Sequence, residues 1–328
     1  MPKRNRDVSE SREHEKPSKA VNVAYGEYNK RGDTIPCKPI PKPTMSVGLN
    51  RRLTVVAWNL NGIRSFVEKR GDLLKQLWER DHLDILGITE HKVTDKARAD
   101  EIESSIRKLL SGHDIRFIWS MCSYKKGYAG SLAIVRGDLF ERIEGTSFGY
   151  DTKPDPEGRI ITLEFKNTAV VIAYVPNSGM KLDRLKYRVG TWDKEFSNYC
   201  TDLSRTKSVI IAGDLNVAHR DEDIWNVDAP HIPKLAGTTS EERKSFQNRF
   251  LDAGFVDSFA CMHPEKTGWF SYWSVKAKNK PKNRGLRLDY VLVDKHVKLL
   301  DAFIRVDLCK DGDHCPVGIV AELDKANI

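Results

Sequence analysis

The chain has 328 residues, 54 Lys and Arg against 46 Asp and Glu, a formal net charge of +8 and 40% hydrophobic residues. That mixture is too apolar for a wholly disordered chain. Its longest purely apolar run, 169–175, is far short of the roughly 20 residues that cross a bilayer.

The N-terminus reads MPKRNRD with no apolar stretch behind it, so no secretory signal is expected. Six cysteines lie scattered with no CxxC pair. That argues against a zinc ribbon or a disulfide scaffold and for a reducing compartment. A pI near 9.0 favours a polyanionic partner.

Residues 1–50 carry ten Lys or Arg and six acids, end Pro-rich and lack apolar periodicity. They read as a disordered basic tail: a nuclear address, a DNA-touching arm or a solvated leader. From residue 52 the texture changes. β-Branched runs predict strands over 53–57, 85–88, 131–135, 160–165, 170–174, 209–212, 288–293 and 317–321. Apolar periodicity predicts helices over 66–80, 182–202 and 240–253, the last opening on a Ser-Glu-Glu-Arg cap. No internal repeat is evident and no Pro/Gly/Ser-rich break divides the rest, so one layered α/β domain is expected over 51–328.

The ends of these strands are unusually polar. Asn59-Leu-Asn61 follows the first, Thr89-Glu90-His91 the second, and Tyr174-Val-Pro-Asn177 a third. Asp214-Leu-Asn216 ends the next, Asp289 opens a late strand, and Asp313-His314 precedes the last. Each alone has a plainer reading: a turn, a helix cap, or for Glu90 a pair with Lys92. Together they converge on the rim where layered α/β folds bind ligands. Asn61, Glu90 and Asp313 offer hard oxygens with no thiolate, the ligand style of Mg²⁺. No GxSxG or GxxxxGK[ST] is present, which disfavours a serine hydrolase and a P-loop ATPase.

The blocks WNLNGIRSF, DILGITEHK, GYAGSLAIVR, AYVPNSG, RLKYRVGTWDKEF, GDLNVAH, GLRLDYVLV and GDHCPV occur in that order over roughly 52–322. This series resembles the exonuclease III family of apurinic/apyrimidinic (AP) endonucleases, a branch of the endonuclease/exonuclease/phosphatase superfamily. The resemblance implies a DNase I-like four-layered sandwich, two packed β-sheets flanked by helices. It implies Glu90 as the principal Mg²⁺ carboxylate, with Asn61 and Asp313 beside the metal and Mn²⁺ as a substitute. Asp214 then orients or deprotonates the attacking water, held by Asn59. Asn216, Tyr174 and Asn177 hold the phosphate or nucleophile. His314 sits on a phosphate oxygen, oriented by Asp289. The implied reaction cuts 5′ to an abasic site and leaves a 3′-hydroxyl and a 5′-deoxyribose phosphate. 3′-Phosphodiesterase and 3′→5′ exonuclease are implied side activities.

Residues 269–284 put Lys276, Lys278, Lys280, Lys282 and Arg284 directly after four aromatics, a phosphate-tracking loop beside a pocket. Lys125 and Lys126 form a second contact loop, and Arg64, Lys92 and Tyr272 complete the expected DNA contacts. The partner implied is double-stranded DNA with abasic sites or blocked 3′ ends, bound by a monomer, with no membrane. The chain departs from the family at Leu286, where relatives carry a pocket aromatic, and at Met180, Lys276 and Thr89. The first strand has no cysteine, so the redox activity of some animal relatives is not expected. A superfamily phosphatase or sphingomyelinase is disfavoured by GDLNVAH and RLDY. A DNA binder without catalysis is disfavoured because every expected catalytic position is filled. A nuclear location is expected from residues 2–6, with mitochondrial or dual location open.

Overall fold

The computed structural model describes residues 47–150, 155–264 and 266–323. Residues 1–46, most of the expected tail, lie outside them.

Alternation along the strands builds the layers. In β1 (Arg52–Asn59), Leu53, Val55 and Ala57 point one way and Val56 and Trp58 the other, as a period of two requires. The first set joins Val170, Ile172, Ile210, Ala212 and Val291 in a core between two sheets. The second set packs on Phe66, Leu73, Leu77 and Trp78 of the helix Ile63–Asp81. On the far side, Val171, Ala173, Val209 and Ile211 pack on Trp192, Phe196 and Phe250. The result is helix, sheet, sheet, helix, as the resemblance implied.

One sheet holds β1, β2 (Ile85–Thr89), β3 (Ile115–Ser120), β4 (Ser131–Arg136), β11 (Lys298–Ile304) and β12 (Val317–Glu322), in the order β11-β12-β1-β2-β4-β3. The other holds β5 (Gly145–Phe148), β6 (Ile160–Glu164), β7 (Thr168–Tyr174), β8 (Ser208–Asp214), β9 (Val256–Asp257) and β10 (Asp289–Val293), in the order β5-β6-β7-β8-β10-β9. Among the described residues only β1–β2 and β7–β8 pair in parallel, each linked by a helical crossover.

The structure adds strands β3, β5, β9 and β11 and the helix Lys96–Leu109 to the sequence expectation. It also breaks two expected helices. The 182–202 segment becomes Leu185–Tyr187, a π-helical turn Arg188–Trp192 and Asp193–Leu203. The 240–253 segment becomes Ser240–Phe246 and a π-turn Gln247–Leu251. A reading at uniform 3.6-residue spacing does not provide for such a turn, which widens the helix locally through i→i+5 hydrogen bonds.

Gly213 is required where it stands. A Cβ there would lie 1.8 Å from the Ala173 carbonyl oxygen and would force β7 and β8 apart beside Asp214.

Candidate active site

Strand register sets the site. Tyr174 pairs with Asp214 and Asp214 with Asp289, so three adjacent strands present these residues in one row. In the other sheet Asn59 pairs with Thr89, and Glu90 follows one residue on. The ends of β1, β2, β7 and β8 therefore meet the start of β10 and the loop before β12.

Asn59, buried between the sheets, joins the two halves. Its Nδ2 donates to Glu90 Oε1 and to Asp214 Oδ2, both at 2.9 Å. Its Oδ1 accepts from the Asn61 backbone N–H at 2.9 Å, and the Asn61 amide donates to Asp313 at 2.8 Å. On the other flank His314 Nδ1 shares a 2.7 Å hydrogen bond with Asp289 Oδ2, and His314 Nε2 stands 3.9 Å from Asp214. The Ser271 hydroxyl accepts from the backbone N–H of Asp289 at 3.0 Å and fixes the end of β10. Asn177 donates to Asn216 at 2.9 Å, and Asn216 donates to the Val175 carbonyl at 2.9 Å.

The backbone is strained where these residues turn. Asn61, Glu90, Lys92 and Asn216 all have positive φ, between 47° and 59°. Non-glycine residues adopt that region rarely, and it clusters at functional sites.

Electrostatics follow from the packing. Burial opposes charge on Glu90, but Lys92, Asn59 and the Tyr174 hydroxyl outweigh it and hold the carboxyl below its usual range. Burial and then Asp289 push the Asp214 carboxyl up, with His314 and Asn59 pulling the other way. Burial disfavours the His314 imidazolium, yet Asp289, Asp214 and Asp313 together raise its pKa well above the ordinary value. Burial and the Glu90 charge raise the Tyr174 phenol well above its own.

Among the described residues, two clusters of ligand atoms at this centre could take a cation. Asp214, Asp289 and His314 bring ligand atoms within 4.8 Å of one another. One oxygen of each acid is already engaged, Asp289 Oδ2 by His314 and Asp214 Oδ2 by Asn59, while Asp289 Oδ1 is buried without a hydrogen-bond partner. The Glu90, Asn61 and Asp313 cluster opens outward instead. There the Lys92 ammonium sits 3.0 Å from Glu90 Oε2 and donates to Asn61 Oδ1. A positive charge thus already bridges two of the three oxygens expected around a metal.

Lys92, read as a DNA contact, is therefore turned into the centre by two strong acceptors. Arg64 pairs with Glu68 at 2.9 Å, and Lys125, Lys126, Lys276 and Lys278 lie exposed. Tyr272 packs on the His314 ring at 4.9 Å. The residues expected from sequence to be catalytic, supporting or metal-binding come together, whereas Lys125, Lys126, Lys276 and Lys278 remain on the surface.

Three supporting residues were not foreseen. Arg159, buried, lays its guanidinium 4.5 Å over the Tyr174 ring and donates to the Tyr128 hydroxyl at 2.7 Å. Arg188, buried, donates to the carbonyls of Pro176, Leu215 and Asn216 and pairs with Asp193 at 2.8 Å. Glu242, buried, accepts from the Ser178 hydroxyl and the Gly237 N–H. A charged residue embedded in an otherwise strong motif, such as Arg188 in RLKYR, was the available signal.

This fold and site define a phosphoester-cleaving class of enzyme. Residues 56–314 match the Endonuclease/Exonuclease/phosphatase family, and the chain belongs to it. The chain is 36% identical over 273 residues to the exodeoxyribonuclease of Bacillus subtilis, covering 83% of this chain and all of that one. It is 33% identical over 282 residues to the DNA repair nuclease APEX1 of Danio rerio, covering 85% of each. Among solved structures, the AP endonuclease LMAP of Leishmania major superposes with a TM-score of 0.76 at 26% identity, covering 92% of this chain and 97% of that one. A 3′ phosphatase from Neisseria bound to a product DNA hairpin superposes with a TM-score of 0.68 at 25% identity, covering 83% and 99%.

Proposed function

We propose that the protein is a DNA repair AP endonuclease. It hydrolyses the phosphodiester 5′ to an abasic site in double-stranded DNA, leaving a 3′-hydroxyl and a 5′-deoxyribose phosphate. Its 3′-phosphodiesterase and 3′→5′ exonuclease activities use the same centre on blocked or frayed 3′ ends. One observation carries the reading: a single amide, Asn59, donates to an acid from each sheet, Glu90 and Asp214. That bond holds a cation-binding carboxylate and a basic carboxylate at a fixed separation.

Glu90, Asn61 and Asp313 would hold Mg²⁺, which when bound supplies positive charge against the phosphate oxygens. Asp214 accepts the proton of the attacking water, and its raised pKa makes it the better base. Asn59 keeps it aimed. His314, kept cationic by Asp289, donates to a phosphate oxygen as negative charge builds in the transition state. Tyr174, Asn177 and Asn216 donate to the remaining phosphate and water oxygens. Arg64, Lys125, Lys126, Lys276 and Lys278 contact flanking phosphates, which give affinity without sequence information. The protein acts as a monomer through one catalytic domain over 51–328, with the basic tail as its nuclear address.

The test is a duplex carrying one tetrahydrofuran abasic analogue, incubated with Mg²⁺ or with EDTA. Incision 5′ to the lesion should require Mg²⁺ and collapse in Glu90→Ala and Asp214→Ala. A native protein that binds this duplex without cutting it refutes the proposal.

A further inference from the structure

Two loops carry the asparagines of this centre, and one buried side chain behind them joins the two. Arg188 donates from Nη1 to the Pro176 carbonyl at 2.9 Å and to the Asn216 carbonyl at 3.1 Å. Its Nη2 donates to the Leu215 carbonyl at 2.8 Å. Pro176, Leu215 and Asn216 are themselves buried. Among the described residues no other group donates to these three carbonyls.

That set of bonds fixes a backbone torsion. The Leu215 and Asn216 carbonyls belong to the two peptide planes on either side of the Asn216 Cα. Each plane is rigid, so the two torsions between them define the conformation. One planar guanidinium that grips both planes therefore holds φ and ψ of Asn216 together. The φ of Asn216 is 48°, a region where non-glycine residues persist when their surroundings impose it. The chemistry depends on that conformation. The Asn216 N–H donates to Asp214 Oδ1 at 2.9 Å, while Asn59 holds Oδ2. The Asn216 side-chain oxygen accepts from Asn177 at 2.9 Å. The Pro176 carbonyl, just before Asn177, ties the second loop to the same guanidinium.

Arg188 is itself aimed. It opens the π-helical turn Arg188–Trp192, which the Asp193 N–H closes by donating to the Arg188 carbonyl. An i→i+5 turn stacks residues five apart, whereas the 3.6-residue α-helix would rotate them away from each other. Asp193 Oδ1 thus accepts from Arg188 Nε at 2.8 Å, and Asp193 Oδ2 from the Ser245 hydroxyl at 2.7 Å.

We propose that Arg188 is a positioning residue for the reaction, imposing the left-handed conformation of Asn216 and so aiming Asp214 at the attacking water and the Asn177–Asn216 pair at the phosphate. The proposal rests on the reading of the centre given above. It makes the shape of the cation matter. A lysine ammonium keeps the charge beside Asp193, but its donors share one point and do not span two loops as the planar guanidinium does.

The experiment is a double-mutant cycle on the full chain with Mg²⁺ and the tetrahydrofuran duplex, read as the single-turnover rate. Arg188→Lys alone should lower that rate at least about tenfold, since a 1 Å misplacement can cost about 10²-fold. Affinity for the uncut duplex in EDTA should stay within about twofold, because the surface cations that give affinity are untouched. Asn216→Gly supplies the second background. It lacks the amide and is slower from the start, but glycine takes positive φ at no steric cost. There Arg188→Lys should cost no more than about threefold, because the conformation no longer has to be imposed. A residue that only supports the fold would give equal losses in both backgrounds. Equal losses, or no loss at all, overturn the assignment. Asp193→Asn repeats the cycle with the guanidinium present but loosened. It should give a smaller loss that also shrinks in the glycine background, and it decides the matter if Arg188→Lys does not fold. Failure of the native protein on this duplex counts against the proposed activity itself. Equal losses alongside native incision count against Arg188 alone.

Discussion

The two sheets have one topology and two chemistries. Read from β11 and from β5, the strands pair antiparallel, antiparallel, parallel, antiparallel, antiparallel in both. The equivalent rows at the site end can therefore be compared directly. In one sheet the row reads Asn59, Thr89, Ser131, small and uncharged. In the other it reads Tyr174, Asp214, Asp289, two acids and a phenol. The first sheet places its acid one residue later, at Glu90, on a strained turn that faces outward. The same frame thus yields a carboxylate open to a cation on one side. On the other side it yields a buried acid pair that keeps His314 charged.

That division predicts different failures. Asp214→Asn keeps the shape and removes the proposed base, so kcat for abasic incision should fall by about 10²–10⁴, and added Mg²⁺ should not restore it. Glu90→Gln weakens the proposed cation site, so its loss should be smaller and should shrink as Mg²⁺ is raised. Metal titrations of both variants decide this. Equal rescue, or rescue of Asp214→Asn alone, would break the assignment of roles to the two sheets.

The central strands and the chemical residues were legible in sequence, and the reasons are physical. The eight strands expected from β-branched runs are the eight interior ones. The four added by the structure, β3, β5, β9 and β11, are the four sheet edges. Edge strands bury less, so their apolar signal is weak: β5 alternates half-buried and exposed residues throughout. The helix Lys96–Leu109 buries only Ala99, Ile102 and Ile106, a stripe too narrow to stand out among its charges. The repeated topology left no trace in sequence, because pairing order constrains backbone and not side chains. Asn59, Glu90, Asp214 and His314 stand out because polar residues at the ends of buried strands are costly without a task. Arg159 and Arg188 stand out less, because much of what their guanidiniums hold, the Tyr174 ring and the carbonyls of Tyr174, Pro176, Leu215 and Asn216, leaves no pattern in sequence.

A second contrast lies in buried charge. Behind the second sheet, Arg287 bonds Asp223 at 2.8 Å and Asp257 at 2.6 Å, and all three are buried. Arg287→Leu strands both acids and should cost about 3–5 kcal/mol of unfolding free energy at pH 7. Burial opposes charge on Asp223, but Arg287 and Arg220 hold its carboxyl below the ordinary 3.8. A depressed carboxyl gives stability that is present above its unfolded pKa and lost as pH falls through the lower folded one. In the variant the stranded acids take up protons on folding, and the sign reverses. The gap between native and variant measured by denaturant unfolding should therefore narrow as pH is lowered from 5 towards 3. A gap that stays constant would mean that the substitution costs packing and not charge.

The smallest effect lies in the quiet row. The Thr89 hydroxyl is buried with no hydrogen-bond partner, directly opposite Asn59 and Ser131. A buried, unpaired hydroxyl costs about 1–3 kcal/mol of desolvation. Thr89→Val removes that cost while keeping a β-branched shape in a strand. It should raise the unfolding midpoint slightly and leave abasic incision within about fivefold, since a shift near 1 kcal/mol is only about fivefold in any rate it touches. A fall in incision comparable to that of Glu90→Gln would show that Thr89 hydrogen-bonds substrate in the complex. The uncharged row would then be part of the reaction after all, and the contrast between the two sheets would reduce to one of charge alone.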